Sequence, residues 1–264
     1  MNKFVVVIFP NEKRANEGAE VLRDLHADGT LTLYGLAVGR KAADGDVSVI
    51  EKEGEGLPGA AVGALAGALV GLLGGPLTAA VGAAGGAWIG TWRDIAHLGV
   101  GADFLAEVGR ELTPGTTALV ADVSEDRVSP LDEQMELLDG TVLREWQSEL
   151  PEVQLATEAA ARKAELEHLE AERREASQQR RHLLDIRVDK AEAKLENVGH
   201  RATKKLDSLD QATGSKIEAL KHQAATADTN ARASIERRIA ETRADRDRRA
   251  ALLRQTLQVA SDAR

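Results

Sequence analysis

The chain contains no cysteine, which excludes disulfide bonds, thiolate metal sites and cysteine nucleophiles. Aromatic residues make up only 3% of its 264 residues, so a large ligand pocket built from aromatic rings is not expected. Its six histidines nowhere show the HxxxH or HExxH spacing of a helical metal site. No pair of carboxylates stands out from the charged background. The sequence therefore predicts no enzyme, no cofactor, no metal and no small-molecule substrate.

The net charge of −9 is divided unevenly along the chain. Residues 1–150 hold 11 basic and 23 acidic side chains, a balance of −12, whereas residues 151–264 hold 23 and 20, a balance of +3. An acidic first part argues against a nucleic-acid partner, and the mixed second part is typical of solvated helices. A strand-like run begins directly after Met1-Asn2-Lys3 with no leader before it, so we expect a cytoplasmic protein.

A stretch of 36 residues, 57–92, carries no charged side chain, since none falls between Glu55 and Arg93. Its glycines recur every four residues, a spacing that places them on one face of a helix and permits close backbone approach. Gly74-Gly75-Pro76 interrupts the pattern, because proline breaks a helix. We predict a helical hairpin over 58–73 and 77–92, called here the glycine segment. The glycines of its packing faces are Gly59, Gly63, Gly67, Gly71, Gly82, Gly86 and Gly90.

The length of the hairpin leaves its surroundings open. Each arm of about 16 residues reaches about 24 Å, which is short of the roughly 30 Å hydrocarbon core of a membrane. Trp88 and Trp92 at the exit are residues that favour a membrane interface. The alternatives are insertion at the cytoplasmic membrane, packing against copies of itself without lipid, and burial in the core of a monomer.

The rest of the first 148 residues predicts an α+β domain. Phe4 to Phe9 and residues 31–38, 47–51 and 116–123 are strand-like runs, and amphipathic helices are expected from Asn11 to Asp28 and from Phe104 to Leu112. The order strand, helix, strand, strand, helix, strand is the split βαβ arrangement of ferredoxin-like domains. The predicted domain covers residues 1–56 and 93–148, with a further helix at 130–138 and a fifth strand at 140–146, at the sheet edge or on a neighbour.

These features resemble a widespread bacterial family of unknown function whose members are often described as membrane proteins. The resemblance rests on the Phe4–Phe9 strand, the Gly/Ala hairpin, the Thr113-Pro114-Gly115-Thr116 turn into Ala118-Leu119-Val120, and the closing helix and strand. It covers about residues 1–148 and implies no catalytic residue. The C-terminal region has no counterpart in that family pattern.

Residues 151–264 have the composition of long helices and an eleven-residue repeat. Eleven residues in three turns, about 3.67 per turn, favours straight or slightly right-handed helix packing. One uninterrupted helix over 152–262 would reach about 165 Å, and Gly199 and Gly214 are possible points of folding back. Asp228 and Arg246 interrupt the apolar rows. The apolar assembly residues are Leu184, Leu195, Leu206, Ile217 and Ile239 in the first row, Leu209, Leu220 and Leu253 in the second, and Ile235 in the third.

Opposite charges flank the first row. The basic flank, just before each row position, consists of Lys194, Lys205, Lys216, Arg238 and Arg249, and the acidic flank, just after it, consists of Asp185, Glu196, Asp207 and Glu218. Such edges allow parallel helices of neighbouring copies to pair side by side, whereas a helix lying on anionic lipid would be basic on both sides. The sequence predicts a structural or scaffold protein that associates with itself and with membranes. The alternative is a membrane-attached adaptor whose helical tail binds lipid or a protein partner.

Overall fold

The computed structural model describes residues 2–42, 47–53, 102–146 and 148–262. The predicted glycine segment, with all seven of its named glycines, lies outside the described residues. The described chain divides into two compact units. The first comprises residues 1–148 and 212–243, and the second comprises residues 149–211 and 244–264.

The first unit is built on a five-stranded antiparallel sheet in the order β3-β2-β4-β1-β5. The strands are β1 (Asn2–Phe9), β2 (Leu31–Lys41), β3 (Val47–Glu53), β4 (Thr117–Glu125) and β5 (Thr141–Trp146). Within the described part of residues 1–148, three helices accompany them: α1 (Glu12–Ala27), α2 (Ala102–Glu111) and α3 (Ser129–Glu136). The predicted α+β class is thus confirmed, with element ends close to those expected.

The interleaved βαβ units use different elements from those the sequence indicated. The strands of the unit β1-α1-β2 lie on either side of β4, and those of the unit β4-α3-β5 lie on either side of β1. Strand β5 therefore belongs to the motif, and it lies at the sheet edge, as expected, paired along its length with β1. The hairpin strand β3 is an addition at the far edge of the sheet. Helix α2, predicted as the second helix of the motif, instead belongs to the connection between β3 and β4. The reason is that a further helix and strand, α3 and β5, follow β4 after Glu125, and these two elements complete the second βαβ unit.

The α1/α3 face of the sheet has an apolar core. Side chains alternate between the two faces of a strand, and the odd-numbered positions of β1 and β4 meet the inner sides of α1 and α3. Asn11 caps α1, since its side chain accepts a hydrogen bond from the backbone N–H of Arg14 at 3.0 Å. The buried members of this core include Val5, Val7, Phe9, Ala19, Leu22, Leu119, Ala121, Val123, Leu131 and Met135.

The opposite face is covered in two parts. Phe104 and Val108 of α2, together with Leu112 just beyond its end, pack on Phe4 and Val120. The remaining part, toward β2, carries polar side chains and is covered by helical residues from 212–243.

The C-terminal region consists of three helices, α4 (Leu150–Glu175), α5 (Gln178–Thr226) and α6 (Thr229–Ser261). The chain reverses at residues 176–177 and 227–228, whereas Gly199 and Gly214 both lie inside α5. Asp228 explains one interruption of the repeat, because its carboxylate accepts from the backbone N–H of Ala231 at 2.8 Å and so caps α6. The other, Arg246, pairs with Asp210 at 2.7 Å.

The apolar rows of the repeat are the inner faces of these helices. Every named row position is buried or half-buried except the capping Asp228. In the second unit, α4 and parts of α5 and α6 enclose two apolar clusters around Leu195 and Leu253. In the first unit, Leu220 and Ile235 pack together and on Tyr34. The repeat therefore marks surfaces that the chain covers with its own helices.

A polar docking site for the helical hairpin on the sheet

The site joins two sets of residues within the first unit. The docking face consists of Thr32 and Tyr34 on β2 with Asp122 and Ser124 on β4. The hairpin tip consists of residues 212–243, the end of α5, the connecting turn and the first half of α6. Lys216, Leu220 and Gln223 follow one another at helical spacing on α5, as do Ile235, Arg238 and Thr242 on α6, so each helix presents one face.

A register shift shapes the docking face. In the β2–β4 ladder, Leu33 pairs with Val123 and Gly35 pairs with Asp122, so Tyr34 is an extra residue on β2. A bulge of this kind re-aims a side chain. Tyr34 is fully buried and packs on Leu220 and Ile235 of the hairpin tip. The bulge thus gives the sheet an aromatic contact with both tip helices.

Arg238 binds the loop between α1 and β2. Its guanidinium donates to the carbonyl of Thr30 at 2.7 Å, to the carbonyl of Gly29 at 3.2 Å and to Thr32 Oγ1 at 3.1 Å. Asp126 completes the set at 3.4 Å. Among the described residues, Arg238 is the largest fully buried side chain, and it is 1% exposed. A buried guanidinium with this many acceptors fixes one orientation of α6 against the sheet.

Gln223 uses both ends of its side-chain amide. Its nitrogen donates to the carbonyls of His26 at 2.7 Å and Leu31 at 2.8 Å, and its oxygen accepts from Thr32 Oγ1 at 2.6 Å. Thr32 therefore donates to Gln223 and accepts from Arg238. Each of these groups is buried, and a buried polar group that loses its partner is costly. The three side chains form one connected network.

Lys216 and Asp122 form the charged part of the site. The ammonium lies 2.7 Å from the Asp122 carboxylate and 4.7 Å from the centre of the Tyr34 ring. Burial raises the pKa of the Tyr34 phenol well above its ordinary value, and the Asp122 carboxylate raises it further. The phenol is consequently neutral at any physiological pH and stays compatible with its apolar neighbours.

A glycine permits the close approach of α6 to the loop. Gly29 has φ of +79°, a left-handed conformation that side chains rarely adopt. A β-carbon at this position would lie 2.6 Å from the Cβ of Ala231, at the start of α6. The Asp28-Gly29 pair that ends α1 in the sequence therefore also provides room for the hairpin tip.

A second buried charge cluster anchors the opposite edge of the sheet. Glu125 accepts from Lys3 at 3.0 Å and from Arg144 at 2.8 Å, and its side chain is 1% exposed. The Lys3 ammonium also lies 4.4 Å from the centre of the Trp146 ring. These contacts join β1, β4 and β5.

A buried ionic triad occurs in the second unit. Glu152 of α4 is fully buried and lies 2.8 Å from Arg249 of α6 and 3.8 Å from Lys205 of α5. Desolvation lowers the pKa of the Lys205 ammonium, and the nearby Glu152 carboxylate opposes that shift. The triad connects three helices at one level, as polar groups that fix register do.

The predicted basic flank is paired within the chain. Lys194 lies 3.2 Å from Glu165, Lys205 has Glu152, and Lys216 has Asp122. The predicted acidic flank, Glu196, Asp207 and Glu218, is exposed. The structure therefore brings the basic residues to acids from α4 and β4, which the spacing of the repeat alone did not indicate.

Arg238 was expected to pair with acids of a neighbouring copy as part of the basic flank, whereas it binds the loop between α1 and β2. Gln223 and Thr32 were not singled out from the sequence. A signal was present, because polar residues stand at inward positions of strands and helices that are otherwise apolar, as Asp122 and Ser124 do in β4. Their partners are close to 100 or 200 positions away in sequence, so no local pattern pairs them. In the part of the chain that the structure describes, no group of three or more His, Cys, Asp or Glu side chains is placed to hold a metal ion.

Comparison with known proteins adds one match. No curated protein and no solved structure matches the chain. The matched segment, residues 60–160, runs from inside the glycine segment through α2, β4, α3 and β5 into α4, so residues 1–59 and 161–264 lie outside it. The extent differs from the 1–148 expected from the resemblance. Over residues 60–160 the chain matches the family described as "Protein of unknown function (DUF1269)".

Proposed function

We propose that the protein is a self-associating structural protein, in which the glycine segment joins copies and the sheet with its docked helices is the unit that is joined. The observation that carries this proposal is the docking site itself. Arg238, Gln223 and Lys216 all use their hydrogen-bonding groups on acceptors of the same chain. Buried polar groups arranged in this way specify one packing of the helices, which suits a rigid building unit.

The position of the glycine segment fits this role. It follows the added edge strand β3 and precedes α2, so it is inserted outside both interleaved βαβ units. Contacts between glycine segments can therefore form without rearranging the apolar core between the sheet and α1. Its four-residue glycine spacing provides faces on which backbones approach closely.

We expect pairing of long helices between copies to contribute less to self-association than the eleven-residue repeat indicated. Lys194, Lys205 and Lys216 have acidic partners in their own chain. Exposed ion pairs contribute only about 0.2–1 kcal/mol each. We therefore assign the main association to the glycine segment and a secondary contact to the exposed acids Glu196, Asp207 and Glu218.

The test is native mass determination of the full chain with and without detergent. Gly67→Leu and Gly86→Leu each place a bulky side chain on a packing face, and overpacking should cost about 1–3 kcal/mol at each interface. Gly67→Ala and Gly86→Ala should be milder. A matched control is Gly214→Leu, because an added β-carbon at Gly214 meets no other atom within 4 Å.

The expected result is an oligomer that shrinks in the order wild type, Ala variants, Leu variants, while Gly214→Leu leaves it unchanged. A monodisperse monomer of the wild-type chain under both conditions would contradict the proposal. Equal masses for wild type and the Leu variants would show that the glycine segment does not join the copies.

A second candidate function is that of an adaptor attached to a membrane. Among the helices of the described residues, none combines the length and apolarity needed to cross a bilayer. The observation that favours this candidate is instead the exposure of two large apolar side chains near the start of α5, Leu183 at 64% and Ile186 at 42%. An assembly that needs detergent to remain dispersed would favour it over self-association alone.

A further inference from the structure

The outer surface of α5 carries a stripe that the eleven-residue repeat did not single out. Its members are spaced by three or four positions and so lie on one helix face. All of them are exposed. The basic–apolar stripe consists of Arg180, Leu183, Ile186, Arg187 and Lys190.

The charge of the stripe is of one sign. Arg180, Arg187 and Lys190 form no ion pair within the part of the chain that the structure describes. The two acids of this segment, Asp185 and Asp189, fall at other angles around the helix, and Asp185 is occupied by Arg173 at 3.6 Å. In a chain with a net charge of −9, three unpaired cations beside exposed leucine and isoleucine are a local exception.

This stripe points away from the apolar rows of the repeat. Leu184 and Val188, its immediate neighbours in sequence, are buried on the inner side of α5. From the sequence, lipid contact through the repeat rows was only the alternative, because the unlike charges at their flanks favoured pairing of helices between copies. The structure covers those rows, and the outer surface has the composition that suits anionic lipid, with apolar side chains between cations.

We propose that the basic–apolar stripe of α5 binds the surface of an anionic membrane, with Leu183 and Ile186 entering the interfacial region and the three cations contacting lipid phosphates. The inference rests on the second function proposed above and gives it a lipid class and a contact surface. Leu183 and Ile186 decide between occupants, because a purely acidic protein surface would leave both apolar side chains without a favourable environment. Charge complementarity and apolar insertion together match a lipid surface.

The experiment measures binding of the full chain to vesicles of phosphatidylcholine alone and of phosphatidylcholine mixed with phosphatidylglycerol. Binding to the neutral vesicles measures the contribution of the glycine segment, and the increase in binding with phosphatidylglycerol measures the contribution of the stripe. The test variant is Arg180→Gln/Arg187→Gln/Lys190→Gln. Each cation near an anionic surface contributes about fivefold to binding, so the triple change should reduce the increase roughly 100-fold.

Two controls isolate the stripe. Lys204→Gln/Arg243→Gln/Arg254→Gln removes the same charge from three exposed side chains elsewhere, and it should lower the increase only slightly. Leu183→Ser/Ile186→Ser should reduce binding roughly tenfold by removing apolar contact. The comparison variant is Leu137→Ser, which changes a 73% exposed leucine away from the stripe and should have no effect.

Equal binding of the two charge variants, or no increase with phosphatidylglycerol, would overturn the inference. It would also be overturned if the stripe variants changed the native mass without lipid, because the occupant would then be a second copy of the chain. Strong binding to neutral vesicles with no phosphatidylglycerol increase would retain membrane attachment through the glycine segment and reject the stripe. The two proposals therefore fail by different results.

Discussion

The two faces of the sheet are covered in different ways. On the α1/α3 face, apolar side chains such as Leu22, Leu119 and Leu131 make the contact. On the docking face, the hairpin tip contributes Lys216, Gln223 and Arg238 alongside its apolar residues. Apolar burial provides stability with little directional preference. Polar contacts add little net stability but penalise every misaligned arrangement.

The contrast between the two faces explains how the helices α5 and α6 are held in one register against the sheet. Helices with an eleven-residue repeat can slide by one repeat and still meet apolar side chains. Arg238 and Gln223 prevent this, because a shifted helix would leave the carbonyls of Gly29, Thr30 and Leu31 buried without their donors. The apolar face provides affinity and the polar face provides alignment.

The largest expected effect comes from Arg238→Met. Removing one partner of a buried charge network costs about 3–5 kcal/mol, because the remaining acceptors lose their donor. Hydrogen exchange should become faster first in residues 216–242, while the central strands β1 and β4 stay protected. Faster exchange throughout the sheet at the same time would contradict separate roles for the two faces.

The corresponding change on the apolar face is Leu22→Ala. Leu22 is fully buried on the inner face of α1, and a cavity there should cost about 3 kcal/mol. Here the denaturant midpoint should fall for the whole sheet, with the hairpin tip following it. If the hairpin tip were released while the sheet midpoint stayed constant, the comparison of the two faces would be wrong.

A smaller effect is expected for Gln223→Leu. The leucine is similar in size but leaves Thr32 Oγ1 and the carbonyls of His26 and Leu31 without the amide, at a cost of about 1–3 kcal/mol. Urea titration followed by circular dichroism measures this cost. Gln179→Leu is a surface control at an exposed position of the same helix, and the two variants should differ.

The sequence predicted the apolar face better than the polar one. The amphipathic helix expected from Asn11 to Asp28 is present as α1, and Ala15, Ala19 and Leu22 on its inner side are buried. The eleven-residue rows likewise predicted burial. The partner of each row was not predictable, because apolar periodicity identifies a surface to be covered without saying which element covers it.

The docking site could be predicted only in part for a similar reason. Asp122 in a strand of buried residues indicates a need for a counter-charge, yet Lys216 is 94 positions away. The turn at residues 227–228 was also missed, since Asp228 looked like a fault in an apolar row when it is in fact a helix cap. Polar residues that interrupt an apolar pattern, such as Asp122 and Asp228, therefore mark a buried ion pair and a helix cap.

The smallest predicted effect concerns pH and the triad of the second unit. The folded pKa of Lys205 is lowered by desolvation, so between that pKa and the ordinary value of 10.5 the unfolded chain binds more protons. Stability should therefore rise with pH through this alkaline window, and it should fall as pH decreases through the folded pKa. Lys205→Met should abolish this rise.

The control for this effect is Lys204→Met, at the exposed neighbouring position. Tyr34 contributes the opposite slope, because its raised pKa makes the unfolded chain lose its proton first as the pH exceeds the ordinary value of 10.0. The difference between the Lys205 and Lys204 variants removes that contribution. Identical pH profiles of the two variants would contradict the desolvation of Lys205.

The central claim is that the hairpin tip is fixed to the sheet by specific polar contacts, and a double-mutant cycle on Asp122 and Lys216 tests it most directly. The ion pair is 2.7 Å long and largely buried. Unfolding free energies are measured for wild type, Asp122→Asn, Lys216→Met and the double variant. The predicted coupling is about 1–3 kcal/mol, as found for residues in direct contact. A coupling within about 0.3 kcal/mol of zero would mean that the two side chains do not meet, and it would contradict the docked arrangement of the helices.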